Sequence, residues 1–130
     1  MTTLMLDSHV VHWWSAEPDR LSPAAAAALD AADELAVASI TWFELAWLAE
    51  HERIVVSIPI RSWLEGLAEQ VRTFGTTPAI AAAAVSLPTA FPGDPADRLI
   101  FATAIEHGVR LVTKDARLRN HPHPRSITIW

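Results

Sequence analysis

Four acids in this 130-residue chain, Asp7, Glu44, Asp97 and Asp115, stand where a strand ends or a helix begins. Carboxylates offer hard anionic oxygen. A set of four suits a small divalent cation, Mg²⁺ or Mn²⁺, which keeps some waters and takes its other ligands from a phosphate. The chemistry that follows is phosphodiester hydrolysis, in which one cation turns a bound water into hydroxide. It or a second cation then stabilises the phosphoryl group and the leaving oxygen. Ser8 and Thr113 can orient ligands or water from beside the acids. Singly, each acid has a plainer reading. Asp7 followed by Ser8 is ordinary capping chemistry ahead of HVVHWW, and Glu44 lies three residues after Thr41, the spacing of a capping box that reaches back to the Thr41 amide. Jointly the plain reading weakens. Four carboxylates at one place, with no arginine cluster to offset them, repel each other by several kcal/mol unless cations fill the site.

The elements must therefore bring these residues together. In Gly93 to Asp115, GDPADRLIFATAIEHGVRLVTKD, Asp94 is an N-cap, Pro95 suits the first helical position, and Asp97 is placed to reach back to the cap. Gly108 supplies a left-handed stop, and Val109 to Thr113 reads as a short buried strand ending at Lys114-Asp115. A helix that crosses over into a parallel strand runs antiparallel to it, so the helix start and the strand end share one edge. Earlier in the chain, Thr3 to Leu6 is a strand ending at Asp7, and Ser22-Pro23 opens an alanine-rich helix to about Asp33. Glu34 to Ala38 is a second strand, after which Ser39 or Thr41 starts TWFELAWLAEHE. Arg53 to Ile58 is a strand or extended link, and helices follow from about Ile60 to Val71 and from Thr76-Thr77-Pro78 to about Leu87. SITIW alternates like a closing strand. HPHPR before it reads as a turn, with a metal role for His121 and His123 the lesser reading. Strands alternating with helices call for an α/β fold with a mostly parallel sheet, whose binding crevice lies beyond the carboxyl ends of the strands. That rule sends all four acids to one edge.

Length and composition set the bounds. One domain over residues 1–130 has room for a real core. The absence of cysteine excludes disulfides and thiolate metal sites and points to an intracellular, cytoplasmic address. No leader and no apolar run of membrane-spanning length is evident, so no membrane partner is expected. A formal charge of −5 repels nucleic acid globally, so any polyanion must be held by local cations. Arg98, Lys114, Arg117 and Arg119, all next to the acidic edge in sequence, are the candidates.

The segments LMLDSHVVHWW, SITWFEL, GDPADRLIFATA and LVTKDARL, in this order and spacing, resemble the four signature segments of PIN-domain ribonucleases, specifically VapC toxins of type II toxin-antitoxin pairs. The resemblance covers nearly the whole chain. It implies a single PIN domain with a three-layer α/β/α fold and an Mg²⁺-dependent endoribonuclease that stops translation by cutting structured RNA. It also implies a cognate VapB antitoxin that fills the acidic groove. By matching segments, Asp7, Glu44, Asp97 and Asp115 take the acid positions and Asp94 becomes a cap. Two departures are small: Ser8 stands where Thr is common, and Gly93 stands where a basic residue often precedes the Asp-Pro step, which removes one phosphate contact. A haloacid-dehalogenase-type phosphatase would need a second Asp where His9 stands. A nuclease-inactive PIN-like interaction module would not need all four acids. Six tryptophans, among them Trp13, Trp14, Trp42 and Trp47, exceed what one small core accommodates and predict a homodimer that also carries an antitoxin segment. If they are interior instead, the chain is a monomer.

Overall fold

The computed structural model describes residues 1–121 and 126–130. Its sheet has five strands, all parallel, in the order β3-β2-β1-β4-β5. β1 (Thr3–Leu6) occupies the centre, between β2 (Glu34–Ala38) and β4 (Arg110–Val112), with β3 (Arg72–Phe74) and β5 (Thr128–Ile129) at the edges. Strand side chains alternate between faces, and the apolar runs here are buried on both. Leu4, Leu6, Val37 and Val112 point to one core layer, while Met5, Ala36, Ala38 and Leu111 point to the other.

Helices α1 (Ser8–Ala16), α2 (Pro23–Ala31), α3 (Ile40–Glu50) and α4 (Ile60–Ala68) pack against the first layer through Val10, Val11, Leu29, Leu45 and Leu67. A single 3₁₀ turn, Pro18–Arg20, links α1 to α2. The second layer is covered by α6 (Pro95–His107) through Ile100, Phe101 and Ala104. Helix α5 (Pro78–Ser86) lies behind α6, joined to it by Ile80, Ala84 and Ala102. The parallel sheet expected from the alternation of elements is observed, and so is the three-layer α/β/α fold that the resemblance implies.

Four local expectations change. Helix α4 ends at Ala68 where the sequence predicts about Val71, and Arg72–Phe74, to which the sequence assigns no element, is an edge strand. Three residues, RTF, carry no readable alternation, and their strand form comes from pairing with Ala36 to Ala38. Arg53 to Ile58 forms no strand; Ile54 plugs the core while Val55 is exposed. His121 packs edge-on against Phe91 and Phe101, and His123, the other half of the predicted pair, lies outside the described residues. Finally, Trp13, Trp14 and Trp42 are half-buried against the first core layer. Four helices stacked on one face give that layer more area than a small core suggests, so the tryptophan excess is largely interior. Trp47 remains exposed.

Candidate functional site

Asp7 follows β1 directly. Its amide donates to the Val112 carbonyl at 3.2 Å, continuing the pairing of β1 with β4 one residue beyond the strand. The carboxylate caps α1, accepting from the Val10 amide at 3.0 Å, and its other oxygen accepts from Thr113 Oγ1. Thr113 Oγ1 in turn accepts from the Asp115 amide at 3.1 Å, so one hydroxyl ties together the acids that end neighbouring strands. Capping and site membership are both true of Asp7. Burial pushes its carboxyl above the ordinary range, because charge is costly away from water, and the Thr113 bond opposes that rise.

Glu44 does not form the predicted capping box. Ser39 precedes helix α3 without a side-chain capping bond, Thr41 lies inside the helix, and Glu44 Oε1 accepts from Ser8 Oγ at 2.6 Å. The Ser8 bond turns Glu44 toward the Asp7 end of α1, away from its own helix start. Asp94 caps α6 as expected, accepting from the Ala96 and Asp97 amides at 2.8 and 3.1 Å. This leaves the Asp97 carboxylate facing the site. Its pKa is pushed up to about 6, first by desolvation and then by the charges of Asp94 and Asp115. Asp115 caps the short helix α7 (Ala116–Arg119) and is held below the usual carboxylate range by the Arg117 guanidinium, which grips it at 2.9 and 3.2 Å. The same guanidinium reaches Asp97 at 3.4 Å.

All four predicted acids line one cleft of about 850 Å³, with Asp94 at its rim. The donors are hard oxygens without sulfur or paired imidazole, which fits Mg²⁺ or Mn²⁺. Among the described residues, however, no group of three or more His, Asp or Glu stands ready-made to hold a metal ion. The reason lies in the bonds: Ser8 holds Glu44, Thr113 and an amide hold Asp7, and Arg117 bridges Asp97 and Asp115. Arg117 thus supplies the positive charge that offsets Asp97 and Asp115.

The cation candidates separate. Lys114 and Arg117 line the cleft, and Lys114 Nζ sits 5.8 Å from the centre of the Trp13 ring. Arg119 is exposed on α7 and does not line it. Arg98 is withdrawn as an RNA contact: its Nε donates to the Pro92 carbonyl, and its Nη atoms donate to Ala84, Leu87, Pro88 and Phe91 at 3.0 to 3.3 Å. That guanidinium is the internal scaffold of the link between α5 and α6. The apolar part of the cleft lining, Ile40, Phe43, Trp47 and Leu48 of α3 around Glu44, was not legible as part of the site. Helix α3 is apolar on almost every side, so its sequence cannot separate core-facing from cleft-facing residues.

Residues 4–124 match the PIN-domain family. A relative, Ribonuclease VapC22 of Mycobacterium tuberculosis (strain ATCC 25618 / H37Rv), is 71% identical over 130 residues, covering 100% of both chains. In fold, the chain is similar to a toxin-antitoxin complex from Klebsiella pneumoniae, with a TM-score of 0.67, 21% identity, and coverage of 95% of this chain and 99% of that one. It is also similar to VapBC-1 from nontypeable Haemophilus influenzae, with a TM-score of 0.66, 19% identity and 89% coverage of each chain.

Proposed function

Because this chain belongs to the PIN-domain family, we propose that it is a divalent-metal-dependent endoribonuclease, the VapC-type toxin of a type II toxin-antitoxin pair. The observation that carries this reading is the arrangement of charge: four carboxylates share one cleft, and Asp97 is pushed up to about 6, first by burial and then by the charges of Asp94 and Asp115. A fold that accepts such repulsion has a use for a cation there.

Asp7 and Asp97, together with Glu44 and Asp115, would hold Mg²⁺ or Mn²⁺. When bound, the cation supplies an activated water and neutralises charge on the phosphoryl group. The protein does the rest by placement. Thr113 fixes the rotamer of Asp7, Ser8 fixes that of Glu44, and Asp94 holds the first turn of α6 so that Asp97 faces the cleft. Lys114 and Arg117 supply the local positive charge that a −5 molecule needs to keep a polyanion near its acids.

Cleavage of structured RNA is the route by which such an enzyme stops translation, and the cytoplasm is where that substrate lies. The 71% identical ribonuclease supports the activity, and the likeness to toxin-antitoxin complexes agrees with a VapB-type partner. An arginine from that partner would pair with Asp7, Glu44 or Asp97 and displace the metal with its own charge. Asp7→Asn is expected to lose most RNA cleavage and, with Asp97→Asn, to bind Mn²⁺ more weakly in calorimetry. Unchanged Mn²⁺ affinity in both variants would refute the assignment.

A further inference from the structure

Phe43 and Trp47 stand one helical turn apart on α3, on either side of Glu44 in sequence, and all three line the cleft. Both residues are left open to water, at 66% and 44% exposure, and they are the exposed large aromatics among the described residues. Two exposed aromatics beside an acid are a cost to the free protein unless a ligand covers them. Trp47 is also braced. The His51 ring stacks on its indole with centroids 3.9 Å apart at 20°, and His51 Nδ1 lies 2.8 Å from the Trp47 carbonyl, which fixes that ring in turn. The indole is therefore backed on one face and ordered before any ligand arrives.

Resting on the ribonuclease reading, we propose that Phe43 and Trp47 form a stacking platform for an unpaired RNA base next to the scissile phosphate. A phosphate held beside the acids, where Lys114 and Arg117 line the same cleft, leaves its attached nucleoside to settle on the apolar rings of Phe43 and Trp47, which flank Glu44 in sequence. A base has the matching face. Stacking also contributes attraction that does not depend on charge, which suits a chain whose net charge opposes RNA. Because paired bases hide both faces, the platform selects a nucleotide in a loop, bulge or single strand.

The test pairs protein variants with modified substrates. On a single-site oligoribonucleotide, Trp47→Ala is expected to lower kcat/KM by about 10- to 100-fold, mainly through KM, with Trp47→Phe recovering most of it. The loss should shrink to within about twofold when the base beside the cleaved bond is replaced by an abasic ribose. Phe43→Ala should behave likewise, more weakly. Equal losses on abasic and intact substrates would overturn the platform, and so would unchanged kinetics in Trp47→Ala, the result expected if this wall serves only a protein partner. Binding separates this outcome from failure of the ribonuclease reading. A non-cleavable 2′-O-methyl oligoribonucleotide should quench a fluorescence component present in the parent and missing in Trp47→Phe. If neither quenching nor binding occurs in a parent that cleaves RNA, the platform is wrong; if the parent cleaves no RNA, the enzyme assignment is wrong.

Discussion

Removing the charge of Asp97 should stabilise the metal-free protein while disabling its site. In the folded state this carboxyl has its pKa raised from 3.8 to about 6, a difference of about two units, or about 3 kcal/mol at 1.36 kcal/mol per unit. The Asp97 side chain is 20% exposed, and part of the rise is shared with Asp94 and Asp115, so a range of about 1–3 kcal/mol is the working expectation. The sign follows from proton binding. Between the unfolded and folded pKa values the native state holds more protons than the unfolded one, so stability falls as pH rises through that window. The penalty is fully present above about pH 6 and absent below the unfolded pKa. Asn cannot ionise. Asp97→Asn in chelator should therefore move the urea midpoint up by about 0.5–1.5 M at neutral pH, with most of the gain gone by about pH 4. Saturating Mn²⁺ should reverse the order, because the parent binds the cation and gains stability by mass action. A gain of equal size at both pH values would refute the electrostatic argument. A loss at neutral pH would show that Arg117 already compensates the charge.

Arg98→Ala leaves five carbonyls without their donor and should cost about 2–4 kcal/mol in urea unfolding, with Arg98→Lys recovering little because an ammonium cannot span them; a change below about 1 kcal/mol would contradict the scaffold role. Replacing Lys114 and Arg117 with Gln should weaken binding of single-stranded RNA and reduce the slope of log affinity against log salt by about 1.4, about 0.7 per lost phosphate contact. An unchanged slope would remove both from the RNA path. Because Trp13, Trp14 and Trp42 pack inward, the expected homodimer has to rest on other apolar surface such as exposed Ile58 and Val85; sedimentation of the isolated chain at micromolar concentration should show a dimer, and a clean monomer would confirm that the tryptophan count reported the core alone.

The route to the acids was legible because it depends on topology. Where a strand stops and a crossover helix starts is written in Asp7, Asp94, Gly108 and Asp115, and parallel pairing then forces a shared edge. What was not legible depends on side-chain partners far apart in sequence. Glu44 looks like a capping residue until Ser8, 36 residues earlier, claims it. Arg98 looks like a phosphate contact beside Asp97, but the irregular link ahead of α6 presents carbonyls that its guanidinium fork gathers. Phe43 and Trp47 are indistinguishable in pattern from Trp42 and Leu45, because a helix wedged between core and cleft is apolar toward both. β3 is a strand only because β2 offers it an edge.

The bond from Thr113 to Asp7 joins residues 106 positions apart across the two central strands. A chain growing on the ribosome exposes Asp7 almost at once, yet β1 has no β4 beside it until nearly the whole sequence has been made. Every shorter nascent fragment lacks Asp115, and every fragment ending before Asp97 lacks two of the four acids. The ribosome is thus not presented with a finished site until the chain that carries it is almost ready to leave. On the proposed assignment of the four acids, premature stop codons upstream of Thr113 should yield products that cleave no RNA, however well their first helices fold.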